Sequence, residues 1–72
     1  MKNYMLLAAV LGEDDLIVID YGPAESPIIM LQEGLRDNIY SDFKEGLEAG
    51  NIEGVFWTEI SSANVHKLSL PK

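Results

Sequence analysis

Two apolar stretches open the chain, and a short polar segment separates them. "YMLLAAVL" runs from Tyr4 to Leu11 and "LIVIDY" from Leu16 to Tyr21, with "GEDD" between them. Short apolar runs that flank a polar loop with glycine are typical of a β-hairpin. The first run is apolar at every position, so a strand there presents apolar side chains on both faces. We therefore expect one face to pack on a helix and the other to need a second copy or a partner.

The middle of the chain changes to a helical spacing. Four apolar residues recur at every fourth position, namely Leu35, Ile39, Phe43 and Leu47. This spacing predicts an amphipathic helix, and Gly50 is suited to end it in the left-handed conformation. The preceding segment, Ile28–Gln32, fits either a short third strand or a first helical turn with Ser26 as N-cap and Pro27 at the first position. We expect the short extended segment.

The stretch "NIEGVFWTEIS", which begins at Asn51, predicts a later strand over about residues 53–60. One set of alternate positions has the composition of a core: Ile52, Gly54, Phe56, Thr58 and Ile60. The other set places the only tryptophan among glutamates: Glu53, Val55, Trp57, Glu59 and Ser61. Trp57 is then either core covered by the C-terminal segment, or the centre of a partly exposed patch with a carboxylate rim.

The resulting order, β-β-(β)-α-β-(β), predicts an α+β fold. We expect a small two-layer sandwich: an N-terminal β-hairpin plus one or two further strands, with a single amphipathic helix packed on one face. The 72 residues form a single domain, 1–72, and residues 62–72 form a weak last strand or a tail. The N-terminal "MKNYMLLAAVLG" has one charge and no A-x-A site, so we interpret it as a buried strand and not as a signal peptide.

Charge limits the classes of partner. The net charge is −7, and all 12 carboxylates lie between Glu13 and Glu59, a span with only two cations, Arg36 and Lys44. Direct nucleic-acid binding and anionic membrane surfaces both require clustered Lys or Arg, which this chain lacks. We expect a protein partner with a basic surface. The two apolar faces of the first strand indicate a homodimer as an alternative to an obligate complex. The absence of cysteine suits a reducing cytoplasm.

Candidate catalytic groups are sparse. His66 is the only histidine, and no spacing singles out a triad with the nearby serines, which are Ser61, Ser62 and Ser69. The hairpin carboxylates Glu13, Asp14 and Asp15 are expected to be solvated and equivalent, whereas acid–base work needs two carboxyls in different environments. Phosphate binding would require glycines at the start of a helix. The three evenly spaced glycines lie instead at the end of the predicted helix and beyond it: Gly46, Gly50 and Gly54. We therefore expect no enzyme, no cofactor and no metal site.

These patterns together predict a small acidic non-enzymatic protein-binding module, such as an inhibitor, an adaptor or a subunit. The predicted contact residues combine the tryptophan patch with nearby acids: Trp57, Val55, Glu53, Glu59, Asp42 and Glu45. One alternative is a nucleic-acid mimic, in which acidic residues imitate phosphates and block a DNA- or RNA-binding protein. A second alternative is a small-ligand binder or enzyme with a cleft at a dimer interface.

Overall fold

A computed structural model describes residues 1–68, and there a single sheet carries helices on one face. The elements in chain order are β1 (Lys2–Val10), β2 (Ile17–Ala24), α1 (Pro27–Arg36), α2 (Ser41–Ala49), β3 (Ile52–Glu59) and β4 (His66–Leu68). The four strands lie in the order β2-β1-β3-β4, and every neighbouring pair is antiparallel. The α+β class is confirmed. Neither helix is long and apolar enough to cross a membrane.

The predicted hairpin is confirmed, and it contains a β-bulge. Leu6 lies opposite Asp20 and Leu7 opposite Val18, so Ile19 is an extra residue without a cross-strand partner. A bulge changes the side to which the following residues point. As a result Ile19 packs against the core, while Val18 shares the other face of the sheet with Leu7.

Helix α1 replaces the extended segment that we expected at Ile28–Gln32. Ser26 is the N-cap, and its hydroxyl oxygen accepts a hydrogen bond of 3.3 Å from the backbone N–H at the third residue after it. Pro27 occupies the first turn, where its missing N–H costs nothing. The expectation of a strand here is wrong, and the helical alternative is confirmed. The helix buries Met30 and Leu31 against the sheet.

The predicted single helix is divided in two. Leu35 belongs to α1, and Asn38 then adopts a left-handed conformation with φ of 57°, which interrupts the helical path. Ile39 is 67% exposed, although its spacing placed it on the buried stripe. The second half of the prediction holds: α2 ends at Gly50, whose φ of 78° gives the expected left-handed cap. The helix count was wrong because the four-residue spacing continued across a turn.

The core lies between the sheet and the two helices. The buried apolar residues of the described chain are Tyr4, Leu6, Ala8, Met30, Leu31, Tyr40, Phe43 and Val55. Those from β1 are alternate residues, so one face of β1 supplies them. We call this the helix face of the sheet and the opposite side the open face.

The last two strands agree with the prediction in position. β3 spans Ile52–Glu59, close to the expected bounds, and the described part of β4 pairs with the middle of β3 at Val55, Phe56 and Trp57. The last strand or tail was expected over residues 62–72. The part from 69 to 72 lies outside the described residues.

Candidate functional site

Over residues 54–59 the two faces of β3 are the reverse of those that the pattern indicated. Ile52 keeps its expected place against the core, because the register between β1 and β3 shifts between Ala9 and Val10. Val55 lies opposite Ala8 and Trp57 opposite Leu6, and cross-strand partners share a face. Both residues therefore point towards the helices. Val55 is 1% exposed, which removes it from any binding surface. Phe56, which we expected in the core, lies on the open face.

Trp57 is partly buried on the helix face and is covered by the chain's own C-terminal strand. Its ring meets Tyr4 edge to face, with ring centroids 5.7 Å apart and an interplanar angle of 81°. On the other side it stacks on His66, with centroids 4.5 Å apart and an angle of 25°. Such aromatic pairs stabilise by ~0.5–1.5 kcal/mol beyond their buried area. Of the two alternatives for Trp57, the structure supports cover by the C-terminal segment.

The predicted acidic contact residues are spread over separate elements. Glu59 ends β3 and pairs with Lys2 at 3.2 Å, and this hydrogen bond raises the pKa of Lys2. Glu53 lies near the other end of β3, whereas Asp42 and Glu45 lie on α2, and all three are exposed. Glutamates bracket the tryptophan because they occupy the two ends of the strand. Their role in binding stays a prediction, and they form no single patch with Trp57.

The open face of the sheet is apolar, and no element of residues 1–68 covers it. Three strands contribute its apolar side chains: Met5, Leu7 and Ala9 from β1, Val18 and Tyr21 from β2, and Phe56 from β3. Tyr21 is 69% exposed and Val18 is 48% exposed, and the other four are partly exposed. An apolar surface on which neighbouring side chains adjoin is the usual mark of an interaction site.

Charged side chains are almost excluded from this face. Among the described strand residues that are paired across this face, only Lys67, opposite Phe56, is charged. The carboxylates gather instead at the end of the sheet where the hairpin turns. Four exposed acids lie there, in the hairpin loop and near the start of β3: Glu13, Asp14, Asp15 and Glu53. The open face is thus an apolar surface with an acidic margin at one end.

The sequence revealed only part of this surface. The uniformly apolar first strand correctly predicted a second apolar face on β1. Val18 and Tyr21 were missed because the bulge at Ile19 fixes which of the β2 residues lie on the open face. Phe56 was assigned to the core because the register between β1 and β3, which are distant in sequence, cannot be read from the strand alone.

Tyr40 is a buried titratable residue with a structural role. Tyr40 is 7% exposed, and burial together with the hydrogen bond to Asp20 raises the pKa of its phenol. Tyr40 therefore stays protonated at physiological pH and serves as a hydrogen-bond donor. Within residues 1–68, no group of three His, Asp or Glu side chains is placed to hold a metal ion.

Comparison of the chain with protein-family models, with curated proteins and with solved structures gives no match.

Proposed function

We propose that this protein is a small non-enzymatic protein-binding module and that the open face is its contact surface. The observation that carries the proposal is an apolar side of the sheet that no element of residues 1–68 covers, while the helices and the other side of the sheet enclose the core. A sheet must bury its apolar faces, and here the chain's own helices bury only one. Binding would remove the second face from water, at ~25 cal/mol for each Å² of apolar surface.

The acidic margin of the open face indicates the charge of the partner. The hairpin-end acids, with Asp14 and Asp15 at the loop, would attract a partner whose apolar patch is flanked by lysine or arginine. Such charges increase the rate of encounter more than they increase the final affinity. The partner is therefore a protein with an apolar centre and a basic edge, and the protein acts as an inhibitor, adaptor or subunit. The absence of cysteine suits the cytoplasm as the compartment of this activity.

The test is affinity capture from the native cell with quantitative mass spectrometry, using matched variants. Tyr21→Lys places a charge on the open face at a position that is 69% exposed, so the fold tolerates it. Gln32→Lys adds the same charge at an exposed position of α1, on the other side of the molecule. We expect proteins captured by the wild type and by Gln32→Lys to be lost with Tyr21→Lys.

A second measurement separates a foreign partner from a second copy. Sedimentation velocity of the purified protein reports self-association, and Tyr21→Lys should abolish any dimer that uses the open face. If the wild type is a dimer and Tyr21→Lys is a monomer, the face serves a second copy. If Tyr21→Lys keeps every partner and the same oligomeric state, the open face is not the contact surface and the proposal is wrong.

A further inference from the structure

The two edges of the sheet differ in how they are protected. β4 forms one edge of the described sheet, and its described residues, His66–Leu68, include Lys67. A lysine on an edge strand disfavours pairing with other strands. β2, the opposite edge, is eight residues long and has no lysine or arginine. Its first three residues, Ile17–Ile19, are apolar, and Ile17 is 47% exposed.

The remainder of β2 is less available for pairing with another strand. Pro23 has no N–H to donate. The N–H of Tyr21 already donates to Asp20 Oδ1 at 2.8 Å. Unpaired backbone groups for an incoming strand are therefore concentrated at Ile17–Ile19, because an edge strand leaves alternate N–H and C=O groups unpaired.

An apolar cleft lies beside this segment, on the helix face. Its volume is about 480 Å³, and its apolar lining includes Val10, Ile17, Ile19, Ile39, Phe43 and Ile52. This volume is in the range of ligand pockets and exceeds the volume of a single aliphatic side chain. Ile39 is the most exposed of these residues, at 67%. It lies between the two helices, directly after the left-handed residue Asn38. The cleft thus has an apolar mouth next to a free strand edge.

We propose that an extended peptide segment of a partner protein adds to β2 along Ile17–Ile19 and places an apolar side chain in this cleft. In strand addition, backbone hydrogen bonds supply affinity and a pocket for alternate side chains supplies specificity. Both parts are present here, because the cleft lies directly beside the edge of β2 at Ile17–Ile19. The site goes beyond the proposed function because it uses the backbone edge of β2 and a cleft on the helix face. Val18 is the residue that it shares with the open face.

The charges around the cleft define the peptide. Asp42 lines the cleft, and Asp14 and Asp15 precede β2 in the hairpin loop. A peptide with valine or isoleucine at alternate positions and lysine or arginine at its ends is therefore complementary to the site. Acidic ends would be repelled by the same carboxylates.

The experiment titrates the isotope-labelled protein with a synthetic peptide and records amide NMR spectra and hydrogen exchange. The probe alternates valine with threonine between terminal lysines. Two further probes are a version with terminal glutamates and a version N-methylated at alternate amides, which cannot pair as a strand. We expect the lysine probe to slow exchange within Ile17–Ile19 and to shift the amide signals of Ile39 and Phe43. The glutamate and N-methylated probes should bind more weakly by about tenfold or more.

Protein variants decide between this site and the open face. Ile39→Lys changes the cleft mouth at an exposed position and should weaken the lysine probe by about tenfold or more, whereas Tyr21→Lys should leave its affinity unchanged. Equal binding of the N-methylated probe would rule out strand addition. Shifts confined to Met5, Leu7 and Phe56 would assign the peptide to the open face and overturn the proposal. Absence of binding to the wild type at millimolar peptide, typical of the weakest specific complexes, also overturns it. Each of these failures leaves the proposed function at the open face intact. That function is tested separately, by the loss of captured partners with Tyr21→Lys.

Discussion

The hydroxyl group of Tyr40 donates a hydrogen bond of 2.5 Å to Asp20 Oδ2 and so joins the start of α2 to strand β2. The same hydroxyl lies 3.4 Å from the backbone carbonyl of Met30 in α1. Tyr40, at the start of α2, therefore links this helix to β2 and to α1 through one hydroxyl group. The contact depends on the bulge at Ile19. Because of the bulge, two consecutive residues, Ile19 and Asp20, both point to the helix face.

Loss of this hydroxyl should destabilise the fold. Tyr40→Phe keeps the ring in the core but leaves the Asp20 carboxylate without its donor, and we expect the free energy of unfolding to fall by ~1–3 kcal/mol. Urea unfolding followed by circular dichroism measures the change. Tyr21→Phe is the matched control, since Tyr21 is 69% exposed, and its effect should stay within ~0.5 kcal/mol. Equal effects of the two variants would contradict the structural role of the Tyr40 hydroxyl.

Tyr40 should also make stability depend on alkaline pH. Burial, followed by the hydrogen bond to Asp20, raises the pKa of Tyr40 above its ordinary value of 10.0. Below pH 10 both states hold the proton, so the full stabilisation is present. Above pH 10 the unfolded chain releases this proton while the folded chain retains it, so stability falls as pH rises. The measurement is urea unfolding from pH 8 to 11, a range of about three units around the tyrosine pKa.

The comparison that isolates this effect is again Tyr40→Phe. Lys2, whose pKa is raised by its bond to Glu59, contributes a loss of the same sign, but it is present in both proteins and cancels in the difference. The stability difference between wild type and Tyr40→Phe should shrink above pH 10. A difference that stays constant up to pH 11 would show that the phenol has an ordinary pKa of about 10.

Gly34 and Gly46 provide a paired test of helix packing. A methyl group at Gly34 would overlap the ring of Tyr40, which is held in place by its own hydrogen bond. A methyl group at Gly46 would meet only the flexible end of Ile52 at 3.0 Å. Alanine raises helix propensity by ~1 kcal/mol at either position, so Gly46→Ala should be neutral or stabilising. Gly34→Ala should destabilise by ~2 kcal/mol or more, because overpacking outweighs propensity. Thermal unfolding of both variants measures this, and a stabilised Gly34→Ala would contradict the close approach.

The sequence predicts local elements better than it predicts how they meet. The hairpin, the strand at β3 and the Gly50 cap follow from patterns within a few residues. The division between α1 and α2 does not, because Asn38 is polar and a four-residue apolar spacing hides the turn. The helical start at Ser26 and Pro27 was visible as an alternative, and the burial of Met30 against the sheet supports it.

The candidate site shows the same limit. Apolar residues at every position from Tyr4 to Leu11 correctly predict that both faces of β1 are apolar. Which residues of β2 and β3 share each face depends on register and on two irregularities, one in the β1–β2 pairing and one in the β1–β3 pairing. Glu53 and Glu59 gave a misleading sign that their face was exposed, since residues at strand ends stay solvated on either face.

Phe56 and Trp57 are neighbouring aromatic residues on opposite faces of β3. We expect truncation of Trp57 to cost more stability and truncation of Phe56 to cost more binding affinity. Trp57→Ala removes the contacts with Tyr4 and His66 on the core side and should lower the free energy of unfolding by ~2–4 kcal/mol. Phe56→Ala removes a partly exposed ring from the open face, and we expect a smaller loss of ~1 kcal/mol. Binding of a partner identified by capture should show the reverse order. Phe56→Ala should weaken it by tenfold or more, which corresponds to ~1.4 kcal/mol, whereas Trp57→Ala, measured where it is still folded, should leave it nearly unchanged. Urea unfolding and calorimetric titration of both variants decide this, and a binding loss confined to Trp57→Ala would return the contact surface to the helix face.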